Sequence, residues 1–306
     1  MTVYTNSEVK RVNLIEFQAK YGTEEQCRQH LFEARWPEGF ICPRCNHVRY
    51  YNVASRGLYH CKECNYQASI TAGTIFDKTR TPLVKWFLAI YLTADDKRGI
   101  SALSLKSKIG VAYHTAWTML QKIRHAMGER DSHYFLGGIV EMDESFFGAP
   151  SEGGKRGRGT DKTPVLVSVS LNDQQKPQFA RMQVLETVDG AAVEDFLHDN
   201  VVKGSEVRTD GLSIYGGVSG EGYIHTPKTY NPKNQPEHLH WLHIIVSNVK
   251  AFIDGTYHGL DKKHLQRYLD EFCYRFNRRW SINGLFSGLL FACAAAGKFT
   301  CHEIVG

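Results

Sequence analysis

No apolar run in the sequence approaches the ~18 residues that a bilayer-spanning helix needs, so no membrane partner is expected. Residues 1–17, MTVYTNSEVKRVNLIEF, lack the apolar core of a secretory leader. Neither sign of charge is in large excess. The 37 Lys and Arg against 32 Asp and Glu leave a net charge of +5 and a pI near 8.7. That mildly basic balance permits a nucleic-acid partner without establishing one. There is no internal repeat, and the one low-complexity patch, SEGGKRGRGTDK at 151–162, reads as a solvent-exposed connection between strands. A cytoplasmic, nucleoid-associated location is the default expectation. In a reducing compartment the eight cysteines favour metal ligands or buried thiols over disulfides.

What is present is enough to fold. The 306 residues are 42% hydrophobic and 12% aromatic, which suffices for two or three domains with cores. Residues 10–36 read as two short helices, with Gly22 and Thr23 opening the second. A cysteine segment over 38–75 follows, with strand-like HVRYYN and YQASITAG. Residues 81–128 turn helical again. From 138 the character is β: GIVEMDESFFG, VLVSVS (165–170), FARMQVL (179–185) and EVRTD (206–210), with helical patterns at 189–199 and from about 237. Such mixing predicts an α/β or α+β domain over about 135–300. The domain boundaries read as 1–37 (helices), 38–75 (cysteine module), 76–132 (helical segment) and 133–300 (α/β domain).

Cys42, Cys45, Cys61 and Cys64 form CxxC–x15–CxxC. Two residues between thiolates let one tight turn present both sulfurs to one ion, and two such knuckles complete a closed tetrahedral Zn²⁺ site. A closed site has a folding role, stapling a short segment that cannot supply its own core. Cys27, Cys273, Cys293 and Cys301 have no partner at ligand spacing and read as plain buried thiols, and His47 and His60 as bystanders. Arg44, His47, Arg49, Lys62 and Tyr66 would suit DNA contact, although solvated side chains on a small metal module would look the same.

SALSLKSKIGVAYHTAWTMLQKIRHAM has the helix–turn–helix pattern, with Leu103, Leu105, Ile109, Ala116, Leu120 and Ile123 as candidate core. Lys106, Lys108, His114, Thr115, Thr118, Gln121, Lys122 and Arg124 would then be accessible. A recognition helix reads bases near its N-terminus and touches phosphates around them. Tyr113, His114 and Thr115 fit the first role, and Lys122 and Arg124 the second. A purely structural helical hairpin has the same pattern.

GGIVEMDESFFG puts Asp143 inside an apolar strand, and VRTDGLSIY puts Asp210 at the end of another. Buried acids need compensation, which a divalent cation supplies. The bland alternative is an edge residue and a turn cap. If the segment is a strand, Glu141 and Glu144 should point to the opposite face from Asp143 or sit one register off.

These motifs resemble the DDE-type transposases of bacterial insertion sequences, in particular the Merlin-related group with an N-terminal zinc ribbon (ISXO2-like). The matching pieces are CPRC and CKEC, TAGTIFDKTRTPLVKWFLAIYL, IVEMDESFFG, RTDGLSIY and SNVKAFIDGTYHGLDKKHLQRYLDEFCYRFNRR, in family order over about 15–285. The resemblance implies a ribonuclease-H-like mixed-sheet catalytic domain behind a zinc ribbon and a helix-turn-helix-like DNA-binding segment. It implies binding of terminal inverted repeats and metal-dependent cleavage and strand transfer with two Mg²⁺ or Mn²⁺ ions. The partners implied are double-stranded DNA, both transposon ends and target, and a homodimer or higher oligomer. Asp143 and Asp210 correspond to the first two catalytic aspartates. The third ligand is usually a glutamate, yet that helix holds no carboxylate before Asp254. Part of the family has asparagine there, which makes Asn248 the candidate, Lys250 its basic companion and His243 the runner-up. Glu271, Arg275 and Arg278 would share one helix face near the active site or DNA, with Arg279 suited to phosphate; an intrahelical salt-bridge ladder is the alternative. Tyr268, Phe272 and Phe276 read as core. The rival functions are a non-catalytic DNA-binding regulator and a nuclease without strand transfer.

Overall fold

The structure, a computed structural model, describes residues 11–148, 161–229, 239–258 and 260–306. Most of the basic glycine patch therefore lies outside the described residues. Two units are present: residues 1–130 with 281–306, and residues 131–280. The segment after 280, which the sequence reading runs on with the α/β domain, packs within the first unit.

The first unit begins with α1 (Leu14–Tyr21) and α2 (Glu24–Arg35), each opened by a capping box, Asn13 with Glu16 and Thr23 with Gln26. A three-stranded antiparallel sheet follows: β1 (Tyr50–Val53), β2 (Leu58–Cys61) and β3 (Gln67–Ser69). Phe32, Trp36, Phe40, Tyr50 and Tyr59 cluster over it, with ring centroids of neighbours 4.8–6.1 Å apart. Then come α3 (Leu83–Asp95), α4 (Ala102–Ile109) and α5 (Tyr113–Asp131). Ser101 caps α4, and Gly110 ends it in the left-handed region, φ 62°, where a side chain would add strain. The unit closes with α9 (Leu285–Ala295) and the short α10 (Cys301–Val305). Phe286 of α9 meets Phe17, Tyr21 and Tyr91 at 5.5–5.7 Å.

The second unit holds β4 (Ile139–Phe147), β5 (Thr163–Leu171), β6 (Pro177–Val184), α6 (Gly190–Asn200), β7 (Glu206–Thr209), β8 (Ile224–Pro227), α7 (His240–Thr256) and α8 (Leu265–Asn277). The sheet order is β6-β5-β4-β7-β8, with β4, β5 and β6 antiparallel and β4, β7 and β8 parallel. A long meander of three strands followed by two parallel strands on the other edge is the ribonuclease-H-like arrangement. The four-residue β8, with Ile224 exposed, carries no readable alternation and is absent from the sequence reading.

Alternation along β4 sorts its side chains between two cores. Val140 and Met142 join Leu166, Phe196 and Val207 on the α6 side. Phe147 joins Val167, Leu242, Ile245 and Leu269 on the side of α7 and α8.

Candidate active site

The strand register brings the two aspartates together. β4 and β7 pair in parallel as Ile139↔Glu206, Val140↔Val207 and Glu141↔Arg208. The same offset of 67 positions, carried two residues past the last pair of the ladder, sets Asp143 level with Asp210. In-register residues of parallel strands point to the same face, and the charge of Asp210 is felt at Asp143. Asp143 is held up at about 7 by burial first, then by the charges of Glu144 and Asp210. The Asp143 carboxylate accepts from the Glu144 N–H at 2.8 Å and that of Asp210 from the Leu212 N–H at 3.1 Å. These bonds tie Asp143, midway along β4, and Asp210, just past the end of β7, to neighbouring backbone.

Glu141 and Glu144 take different sides. Glu141 shares the face of Asp143, because residues two apart on a strand align. It is buried, and its carboxylate accepts from the Leu242 N–H at 2.9 Å. It thereby satisfies an open donor in the first turn of α7 and pins the helix start to β4. Burial raises its pKa, offset in part by those N–H groups and by Arg208. Glu144 points to the other core, where Tyr215 Oη donates to it at 3.1 Å.

The helix phase separates the two candidates on α7. Its buried stripe is Leu242, Ile245, Val249 and Ile253. At about 100° per residue, Lys250 and Asn248 fall on opposite flanks of Val249, whereas His243 lies about 20° from Lys250. Lys250 Nζ sits 5.3 Å from the ring of Phe147, a residue on the Asp143 face of β4. Asn248 is exposed and lines a different cavity, with Trp241, Phe276 and Trp280, that contains neither aspartate. The flank that accompanies Asp143 therefore carries His243 and Lys250. Helix phase thus sets Asn248 and His243 on different flanks of α7. The interval of seven residues between His243 and Lys250, two helical turns, was the available signal.

In the first unit the four cysteine sulfurs lie within 4.8 Å of one another, and among the described residues they form the sole cluster of three or more His, Cys, Asp or Glu ligands. Cys42 to Cys64 and Cys45 to Cys61 are 3.6 Å apart, near the ~3.8 Å edge of a tetrahedron with Zn–S bonds of ~2.3 Å. Asn46 and Asn65, each directly after a knuckle, adopt positive φ of 60° and 57°, which asparagine tolerates well. The donor set and its spacing fit a structural zinc ion.

Comparison with known sequences agrees with these two features. The profile of an ISXO2-like transposase domain matches residues 135–277, and that of a transposase zinc-ribbon domain matches residues 22–67. The chain thus carries an ISXO2-like transposase domain behind a transposase zinc ribbon. The transposase is also 27% identical over 279 residues to an uncharacterized protein in transposable element ISH50 of Halobacterium salinarum, covering 83% of this chain and 90% of that one. Among solved structures it is similar to the catalytic core domain of BIV integrase, at 15% identity and TM-score 0.29, over 44% of this chain and 81% of that one. Another is the Mos1 transposase paired-end complex with the left transposon end, at 12% identity and TM-score 0.23, over 69% and 80%. At such scores the fold rests on the strand order described above.

The basic residues predicted for DNA fare unevenly in the transposase. Arg44, Lys62, Tyr113 and His114 are exposed, Thr115 is half-buried, and Lys62 Nζ lies 4.4 Å from the Tyr51 ring. Lys122 and Arg124 are buried, and Lys122 Nζ donates to the Ile75 carbonyl at 2.9 Å. With Gln121 also buried, the expected accessible face of α5 is displaced, and on α4 the expected core residue Leu103 is exposed. Arg275 pairs with the buried Glu271 at 2.7 Å, and Arg278 with Asp131 at 2.7 Å while lying 3.6 Å from the Tyr274 ring. Arg279 donates to the carbonyls of Phe276, Gln178 and Pro177. Arg275 and Arg278 are thus structural cations rather than free phosphate ligands, because their charge is spent on buried carboxylates. Cys301, expected among the buried thiols, is exposed, while Cys27, Cys273 and Cys293 are buried. No helix among the described residues is long and apolar enough to cross a membrane.

Proposed function

We propose that this insertion-sequence transposase binds the terminal inverted repeats of its element and cuts and joins DNA at Asp143 and Asp210. The observation that carries the reading is the parallel β4–β7 register, whose extension sets these two carboxylates at one level. Their donor set fits a hard divalent cation, since carboxylate oxygens are its preferred ligands and burial with neighbouring carboxylates holds Asp143 up at about 7. When bound, Mg²⁺ or Mn²⁺ supplies charge neutralisation and nucleophile activation for in-line displacement at a phosphodiester. Asp143 and Asp210 hold that cation; His243, rather than Asn248, completes the protein's donor set from the α7 flank. Lys250, on the same flank, holds a strand's phosphate by its charge. Glu141 keeps this flank at the level of the pair by fixing the first turn of α7.

Recognition of the ends falls to the ribbon and the α4–α5 pair, through Arg44 and Lys62 for phosphate and Tyr113, His114 and Thr115 for base edges. Two ends must be held at once, so the working form is a homodimer or a larger assembly. The test is incubation of purified protein with end-containing DNA and Mg²⁺ or Mn²⁺. Strand-transfer products support the transposase reading, cleavage alone a nuclease, and a mobility shift without cutting a regulator. Asp143→Asn abolishes the chemistry and leaves binding intact; retained cleavage defeats the assignment.

A further inference from the structure

On the flank of α7 turned away from Lys250, the second unit has a cavity of about 650 Å³ between the β5–β6 turn, α7 and the end of α8. Its size suits one or two nucleotides, within the ordinary range of ligand pockets. Four aromatic rings line it: Phe179, Trp241, Phe276 and Trp280. Trp280 is 78% exposed, and Arg279 Cζ lies 4.7 Å from its ring. The Trp241 ring is fixed, its Nε1–H donating to the Gln175 carbonyl at 2.8 Å, with Lys176 Nζ 5.5 Å from the ring centroid.

The polar lining points one way. No Asp or Glu is among the lining residues. Arg279 gives its hydrogen bonds to backbone carbonyls, so its positive charge is not cancelled by a carboxylate. The side-chain amides of Gln174, Gln178 and Asn248 make no hydrogen bond among the described residues, and amides of this kind match the edges of bases. Rings for stacking, free amides and uncompensated cations together are the chemistry of single-strand recognition. A base inside a duplex cannot reach such rings; it must leave the stack.

We infer that this cavity binds an unpaired nucleotide of a DNA strand. The inference rests on the reading of the chain as a DNA-processing transposase, and gives Asn248 a role in holding DNA in place of one in holding metal. One helix then carries the metal-side flank, His243 and Lys250, and the nucleotide-side flank, Trp241 and Asn248.

The test uses full-length, zinc-loaded protein without added Mg²⁺ or Mn²⁺, and reads anisotropy of a labelled oligothymidylate and of a labelled end-containing duplex. Trp280→Ala weakens single-strand binding by roughly 5- to 100-fold, the loss of one stacking contact, and leaves duplex binding unchanged. Trp280→Tyr, which keeps a ring, restores most of it. Asn248→Asp, placing a charge in the carboxylate-free lining, weakens single-strand binding by an amount that shrinks as salt rises. Unchanged single-strand binding in both Trp280→Ala and Asn248→Asp overturns the inference, as does an equal loss on single strand and duplex. Wild-type protein that binds the duplex but no single strand overturns the cavity alone; protein that binds neither overturns the DNA reading itself.

Discussion

Replacing Asp143 with asparagine should stabilise the metal-free protein while destroying its chemistry. Asp143 has an ordinary value of 3.8 and sits at about 7 in the fold. The folded state therefore holds this proton more tightly than the unfolded chain. Its contribution to stability is complete below about pH 4 and is lost as pH rises through about 7. The gap is worth up to about 4 kcal/mol at 1.36 kcal/mol per decade of acidity. Relaxation and water entry around a partly exposed carboxylate bring the working figure to about 2–4 kcal/mol. Asp143→Asn removes the titration and keeps the shape. Denaturant titrations at pH 4, 6 and 8, read by hydrogen exchange of β4 amides, should show the variant more stable at pH 8 by that amount. The two proteins should converge at pH 4. Added Mn²⁺ should narrow the difference by stabilising wild type alone. Equal stability at pH 8, or a gap that does not change with pH, would refute the claim that burial and neighbouring carboxylates penalise the charged form of Asp143.

Three further outcomes follow from the geometry. Arg275→Met strands the buried Glu271 carboxylate and should lower stability by about 3–5 kcal/mol in urea unfolding, with the loss largely recovered by adding Glu271→Leu; undiminished stability with weakened DNA binding would restore Arg275 as a phosphate ligand. Cys61→Ser should reduce bound zinc from one per chain, measured by atomic absorption, and erase exchange protection in β1–β3, since metal binding is folding free energy in such modules. His243→Ala should raise the Mn²⁺ concentration needed for half-maximal cleavage by roughly 10- to 100-fold, whereas Asn248→Ala should leave that concentration unaltered.

What could be read in advance was whatever a short interval fixes. Two residues between thiolates dictate a knuckle, so the ribbon followed from CPRC and CKEC. Acids embedded in apolar strand runs marked Asp143 and Asp210, and their common level then came from the parallel register. Burial of the basic residues was harder to see. Residues 119–124 of α5 are buried without interruption, so the helix has no single wet face at its centre and an amphipathic reading placed Lys122 and Arg124 wrongly. Arg275 looked like a DNA contact because a sequence does not show that Glu271, one turn earlier, is itself fully enclosed. Glu141 was legible and misassigned: strand parity alone puts it beside Asp143. The choice of the proposed third ligand turns on helix phase, in which a displacement of two residues reverses the flank.

The first unit is interrupted in the chain, its last helices arriving only after residue 280. During synthesis the sheet bearing Asp143 and Asp210 is complete before Phe286 exists to cover Phe17, Tyr21 and Tyr91. A chain ended before residue 281 would thus hold the second unit whole and leave the first open on its aromatic side. Closure of the first unit thus waits on the segment that follows the second.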